Sequence, residues 1–170
     1  MNHAPSQNPF SLCITGDLQF DAGGTCKELH TQFQSNGIAS ELFVSKKALA
    51  FLGMDLTAAE SSLQRLAFLC SLLNRHGIVP LVSLPHPWTD VLLQIPNHIP
   101  NLYHVQLLSG TQLLAEKSPT EGLLRLDAGK PLMDRVRTIM AFLSLEATQQ
   151  SPFEVDALRM TERLEDLGYI

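Results

Sequence analysis

The sequence predicts an α/β domain of three layers, α/β/α, around a mostly parallel central sheet of about five strands. Three observations predict it. Short apolar runs alternate along the chain with segments of helical periodicity, the pattern of a parallel sheet with right-handed crossovers. Asn36-Gly37 and His76-Gly77 are helix stop signals, and an apolar run follows each of them. Ile78-Val79-Pro80-Leu81-Val82-Ser83 is a nearly continuous apolar stretch, as expected for a strand covered on both faces.

The elements follow in order. Residues 1–9 are polar and read as a flexible arm; they contain no apolar core of a secretory signal. A first strand spans 11–15 and a helix 25–35, and a second short strand spans 40–44. Thr57-Ala58-Ala59-Glu60 has the form of a capping box, in which hydroxyl and carboxylate satisfy reciprocal N–H groups. The helix it opens carries Leu63, Leu66, Ala67, Phe68, Cys70, Leu72 and Leu73, a face apolar enough to require a sheet beneath it. The strand at 78–83 comes next, with Pro80 arguing against a central position unless no ladder bond is needed there. A strand at 102–108, a short helix at 111–117, a strand at 123–126 and an amphipathic helix at 132–143 complete the domain, taken as 10–145. Residues 146–170 form a linker and an appended C-terminal helix, opened by Ser151-Pro152-Phe153-Glu154 and stopped by Gly168. Its Leu158, Leu164 and Leu167, with Tyr169 and Ile170, make an apolar stripe that must dock on the domain, a protein partner or a second copy.

Composition removes several function classes. The chain has 170 residues, 45% apolar and 17% charged, which suits one globular domain with a substantial core. Its net charge is −5 and the basic residues are scattered, so no nucleic-acid footprint is expected. No apolar run reaches membrane-spanning length, so a cytoplasmic protein without membrane contact is expected. Cys13, Cys26 and Cys70 lack both zinc-ligand spacing and a disulfide framework, and Cys13 and Cys70 read as small core hydrophobes.

The stretch 12–24 is the most informative. An apolar run ends in Thr15-Gly16 and a helical segment follows, the layout of a strand, a phosphate-binding loop and a helix. Such a loop needs backbone N–H groups facing the phosphates, a Lys on the outer phosphates and a hydroxyl on Mg²⁺. This one offers two carboxylates, Asp17 and Asp21, and no Lys before Lys27. Carboxylates repel the anion that such a cradle would hold.

With these residues in view, the chain resembles the adenylylsulfate kinases, P-loop enzymes that phosphorylate adenosine 5′-phosphosulfate. Ile14-Thr15-Gly16 resembles the "FTG" that opens their loop, and Gly37-Ile38 the "G-V" that ends their first helix. Leu52-Gly53-Met54 through Arg75-His76-Gly77-Ile78 is similar to their "LGF…R…NIRR…AGI" segment, with the same spacing between its two glycine landmarks. Pro85-His86 is similar to their "ISP-(H/Y)-R" turn, and the segment 102–119 to their next strand and helix. The resemblance covers roughly 11–143 and implies a P-loop NTPase-like fold.

The departures bear on activity. Laid over the family from Gly16 to Gly37 without gaps, the loop's last Gly falls on Asp21, its Lys on Ala22 and its Ser on Gly23. Sliding the loop still leaves Gly24 at the Lys. The family's acid-bearing "DGD" after the second strand is replaced by Val44-Ser45-Lys46-Lys47. In the helix that holds substrate, the family Arg falls on Ala59 and the Asn on Ser62, and Arg65 alone survives. The Arg after the histidine turn is Pro87, and most of the basic lid is missing before Leu123.

What the resemblance implies is therefore a catalytically degenerate relative, a pseudoenzyme serving as a binding, regulatory or protein-interaction module. The alternative is a divergent small-molecule kinase using ATP and Mg²⁺ on a sulfur- or nucleotide-type substrate. The first reading expects no cofactor, metal or catalytic residue. Residues expected at the degenerate loop are Gly16, Asp17, Asp21, Gly23, Gly24 and Thr25. The substrate crevice beyond the carboxyl ends of the strands is expected to hold Lys46, Arg65, His86 and Trp88, with Ser45, Lys47 and Ser109 nearby. Asp17 and Asp21 with His86 could make a metal or acid–base constellation, against solvated loop residues as the plainer reading. Cys26 near a helix N-terminus could be nucleophilic, against a packed thiol. Trp88 could stack on a ligand base or cover the sheet.

Overall fold

The computed structural model describes residues 10–17, 19–44, 46–94, 99, 101–115 and 122–149. Five strands, β1 (Ser11–Gly16), β2 (Ser40–Phe43), β3 (Val79–Pro85), β4 (Leu102–Leu108) and β5 (Leu123–Asp127), form one sheet in the order β2-β3-β1-β4-β5. Every pairing is parallel, where the sequence reading asked only for a mostly parallel sheet. The helices are α1 (Ala22–Ser35), α2 (Lys46–Phe51), α3 (Ala59–Arg75), α4 (Pro87–Gln94), α5 (Gly110–Ala115) and α6 (Leu132–Gln149).

Alternation along the strands sorts the core onto two sides. Leu12 and Ile14 of β1 join Val105 and Leu107 of β4, with Cys26, Leu29 and Phe33 of α1 and Val136, Ile139 and Leu143 of α6. Cys13 faces the other way and joins Leu63, Leu66 and Cys70 of α3 and Trp88 and Leu92 of α4. The result is a three-layer α/β/α fold with β1, buried at all six positions, in the middle.

Pro80 is accommodated inside the sheet for a directional reason. The Val79 N–H bonds to Ala39 O on the β2 side, so the next residue's donor would face β1. The β1 register begins one residue later, at Leu12↔Leu81, and no ladder bond is lost.

Three expected boundaries move. Helix α1 starts at Ala22 rather than 25, because Asp21 caps it through Gly24 N–H. The capping box at Thr57–Glu60 does not form. Asp55 instead caps a 3₁₀ turn, Leu56–Ala58, by accepting from Thr57 N–H at 2.9 Å, and α3 follows without a side-chain cap. That bond, with the Thr57 side chain and Arg65 adding to it, holds the Asp55 carboxyl below its usual range. Helix α6 continues through 146–149, residues read from sequence as the start of a linker. The expected arm at 1–9 and the expected helix from Ser151 onward lie outside the described residues. Among the described residues no helix is long and apolar enough to cross a membrane.

Candidate functional site

The chain runs from β1 to β2 on one side of the sheet and from β3 to β4 on the other. That reversal places a crevice beyond the carboxyl ends of β1 and β3, where Gly16 is in register with Pro85. Gly16 is closely packed there, so that a side chain would oblige Leu107 to give way by a few tenths of an ångström. A Cβ on it would stand 3.1 Å from Leu107 Cβ and 3.5 Å from Phe20 Cβ.

The loop from β1 to α1 is closed by its own residues. Phe20 N–H donates to Asp17 O at 2.8 Å, and the Phe20 ring packs against the α1–α6 core. Asp21 Oδ1 accepts from Gly24 N–H at 2.8 Å. The Thr25 N–H and hydroxyl both donate to Asp21 O, at 3.0 and 2.8 Å. A Cβ on Gly24 would collide with the Asp21 carboxylate, so that glycine is what lets the carboxylate sit over the helix end. The positive end of the α1 dipole therefore faces a negative charge from its own chain. Ala22 is buried in the core, and Gly23 carries no hydroxyl.

At the carboxyl end of β1, on the α4 face of the sheet, lies a buried polar chain that the sequence reading missed. Thr89 Oγ1 of α4 donates to Thr15 Oγ1 of β1 at 2.8 Å, and Thr15 Oγ1 lies 2.8 Å from His104 Nε2 of β4. All three residues are buried. Burial, reinforced by the Arg125 charge, pushes the His104 imidazole down to about 4, which keeps it neutral and its Nε2 free to accept. The available signal was periodicity: in Leu102–Leu108, His104 and Gln106 interrupt an apolar run at a spacing of two, which puts both on one face.

The other expected site residues have varied surroundings. Lys46 and Lys47 are exposed at the start of α2, and Asp17 and His86 lie in turns that end β1 and β3. Ser109 caps α5, its hydroxyl 3.0 Å from Gln112 Oε1. Arg65 does not face the crevice as an open substrate cation. Its Nε donates to Leu52 O at 2.9 Å and its Nη2 to Gly53 O and Ser62 Oγ, a clamp on the turn before α3. Trp88 is 4% exposed among Leu63, Leu66, Leu84 and Leu92, so its indole is part of the core and offers no stacking face. Cys26 is fully buried, and desolvation with the nearby Asp21 charge raises its thiol far above the ordinary range, the opposite of an activated nucleophile. Burial likewise raises Cys13 and, to about 11, Cys70. Asp17 and His86 follow the paired Gly16 and Pro85, but together with Asp21 they form no group that could hold a metal. Among the described residues no group of three His, Cys, Asp or Glu could hold a metal.

No family model matches the chain. Solved structures do resemble it. APE1195 superposes with a TM-score of 0.63 at 13% identity, over 83% of this chain and 98% of that one. The Mycobacterium tuberculosis APS kinase CysC, in complex with AMPPNP and APS, gives 0.59 at 14%, over 81% and 98%. A gluconokinase from Sinorhizobium meliloti 1021 gives 0.52 at 14%, over 84% and 96%. The fold is that of the P-loop kinases. At these identities the likeness is one of architecture, and what the site does has to be argued from its own residues.

Proposed function

We propose that this chain is a catalytically degenerate, adenylylsulfate-kinase-like protein that serves as a binding or regulatory module and does not turn over ATP. The observation that carries the reading is the Asp21 carboxylate on the N-terminus of α1. In a P-loop the end of that helix belongs to phosphate. A phosphate brought there would lose the Asp21–Gly24 bond and face a like charge, at about 4 kcal/mol per pair of unit charges 4 Å apart near a protein surface. Phosphoryl transfer is positioning plus charge neutralisation, and this loop supplies neither Lys nor Mg²⁺ hydroxyl. The Phe20 ring, partly buried against the core, supports the same reading, because it draws the loop toward the sheet instead of around a ligand. Interaction with a protein partner or a second copy, through residues 146–170, belongs to this proposal.

Titration calorimetry with ATP, ADP and adenosine phosphosulfate tests it. The wild type is expected to show no Mg²⁺-dependent nucleotide binding at micromolar concentrations. A triple variant, Asp21→Gly with Ala22→Lys and Gly23→Ser, is expected to gain it. Mg²⁺-dependent micromolar binding by the wild type would replace this proposal with the divergent-kinase reading, in which ATP is used on a sulfur- or nucleotide-type substrate.

A further inference from the structure

We propose that Arg135 anchors a binding site for a small oxyanion, a carboxylate or a phosphate or sulfate ester, at the start of α6. Arg135 is 6% exposed, and its Nε and Nη1 are shut off from solvent with no hydrogen-bond partner. Burying an unpaired ion costs several kcal/mol, and a guanidinium does not escape that cost by giving up its proton. Such a group is stable in a fold when something else compensates it, and here nothing within the described chain does.

The nearest carboxylates in sequence are engaged elsewhere. Asp134 pairs with Arg137 at 3.2 Å on the outer side of the helix. Asp127 accepts from Gly129 N–H at 2.9 Å. It also follows Leu126, a residue of the α1–α6 core, and so points to the opposite face of the sheet.

Helix geometry then says where the guanidinium lies. Side chains on a helix lean toward its N-terminus, and Arg135 sits in the first turn of α6. It shares a flank with Ile139, which is in the core, and with Phe142, whose ring meets Tyr103 edge-on at 5.8 Å. The guanidinium is thus directed between α6 and the sheet, toward the carboxyl edge that also carries the crevice. The first-turn N–H groups of this 18-residue helix face the same edge with their positive dipole end. A buried guanidinium with unpartnered donors and a helix N-terminus directed to one edge suit an oxyanion.

This site is independent of the proposed loss of ATP chemistry, since it lies on a different helix and uses none of the residues 16–25. The test is thermal unfolding and calorimetry of the full chain with phosphate, sulfate and succinate, against sodium chloride at matched ionic strength. The wild type is expected to be stabilised saturably by at least one of the three at millimolar concentration, and the phosphate and succinate arms separate ester from carboxylate recognition. Arg135→Met is expected to melt higher than wild type without a probe and to bind the effective probe at least about ten-fold more weakly. Arg135→Lys, which keeps the charge without the fork, should also weaken binding, and Arg137→Met should leave it unchanged. The proposal is overturned if no probe stabilises the wild type beyond chloride. Retention of the wild-type response by Arg135→Met overturns it equally, as does full affinity in Arg135→Lys should the Met variant fail to fold. The loop variant Asp21→Gly/Ala22→Lys/Gly23→Ser keeps Arg135, so its response to phosphate at α6 separates this result from the nucleotide test.

Discussion

Helices α1 and α6 both begin at the carboxyl edge of the sheet and pack against the same core, yet their first turns are opposites. At the start of α1 the cap is matched from within, since Asp21 holds Gly24 and Thr25 holds Asp21 O, and on the opposite, α4 face of the sheet Thr89, Thr15 and His104 form a closed chain. At α6 the buried Arg135 guanidinium leaves its Nε and Nη1 without a hydrogen-bond partner among the described residues. A region that satisfies itself contributes its interactions to stability and has little left for a ligand. A region left unsatisfied lowers stability and gains most from one. Perturbing each half should reveal which kind of region it is.

The largest effect is expected from protonating the matched half. His104 sits near 4 in the fold against 6.5 when free, so between those values the unfolded chain binds the proton and the native one does not. Stability contributed by the neutral imidazole is thus full above pH 6.5 and falls as pH drops toward 4, by up to about 3 kcal/mol. Urea unfolding across this range should show that loss in the wild type and a shallower one in His104→Gln. Parallel curves for the two proteins would remove His104 from the account of the matched half.

Thr15→Val is expected to cost somewhat less, roughly 2 kcal/mol. It leaves Thr89 Oγ1 and His104 Nε2 buried without their shared partner, and unmatched buried polar groups cost about 1–3 kcal/mol. Chemical denaturation at pH 7 measures it, and a change below half a kcal/mol would mean that the chain is not closed as described.

What sequence reveals of this molecule divides along the same line. The sheet was legible because two-sided burial writes itself as apolar runs such as Ile78–Ser83, and helix ends because Asn36-Gly37 and His76-Gly77 release the backbone into positive φ at Gly37 and Gly77. The carboxylates of the loop were legible as an electrostatic misfit. Their arrangement was not, because a cap depends on whether Asp21 folds back onto Gly24, which residue types alone do not determine. Arg65 and Trp88 were read as crevice residues for a related reason. A surviving arginine and a tryptophan after a turn look alike in sequence whether they face a ligand, clamp carbonyls as Arg65 does, or fill a core as Trp88 does. Arg135 was invisible: it neighbours Val136 in an amphipathic helix, and only three-dimensional packing tells that it lies on the buried flank.

The smallest effect separates charge from geometry at α1. Asp21→Ala removes the cap and should cost about 1 kcal/mol, whereas Asp21→Asn keeps an equivalent acceptor for Gly24 N–H and should stay within a few tenths. Asn carries no charge, so if repulsion by Asp21 opposes anion binding at α1, pyrophosphate should stabilise Asp21→Asn more than wild type in thermal unfolding. If it stabilises both equally, the obstruction is the occupied helix end itself. The closed conformation of the loop, with Phe20 packed against the core, would then outrank the negative charge as the obstacle to phosphate at α1.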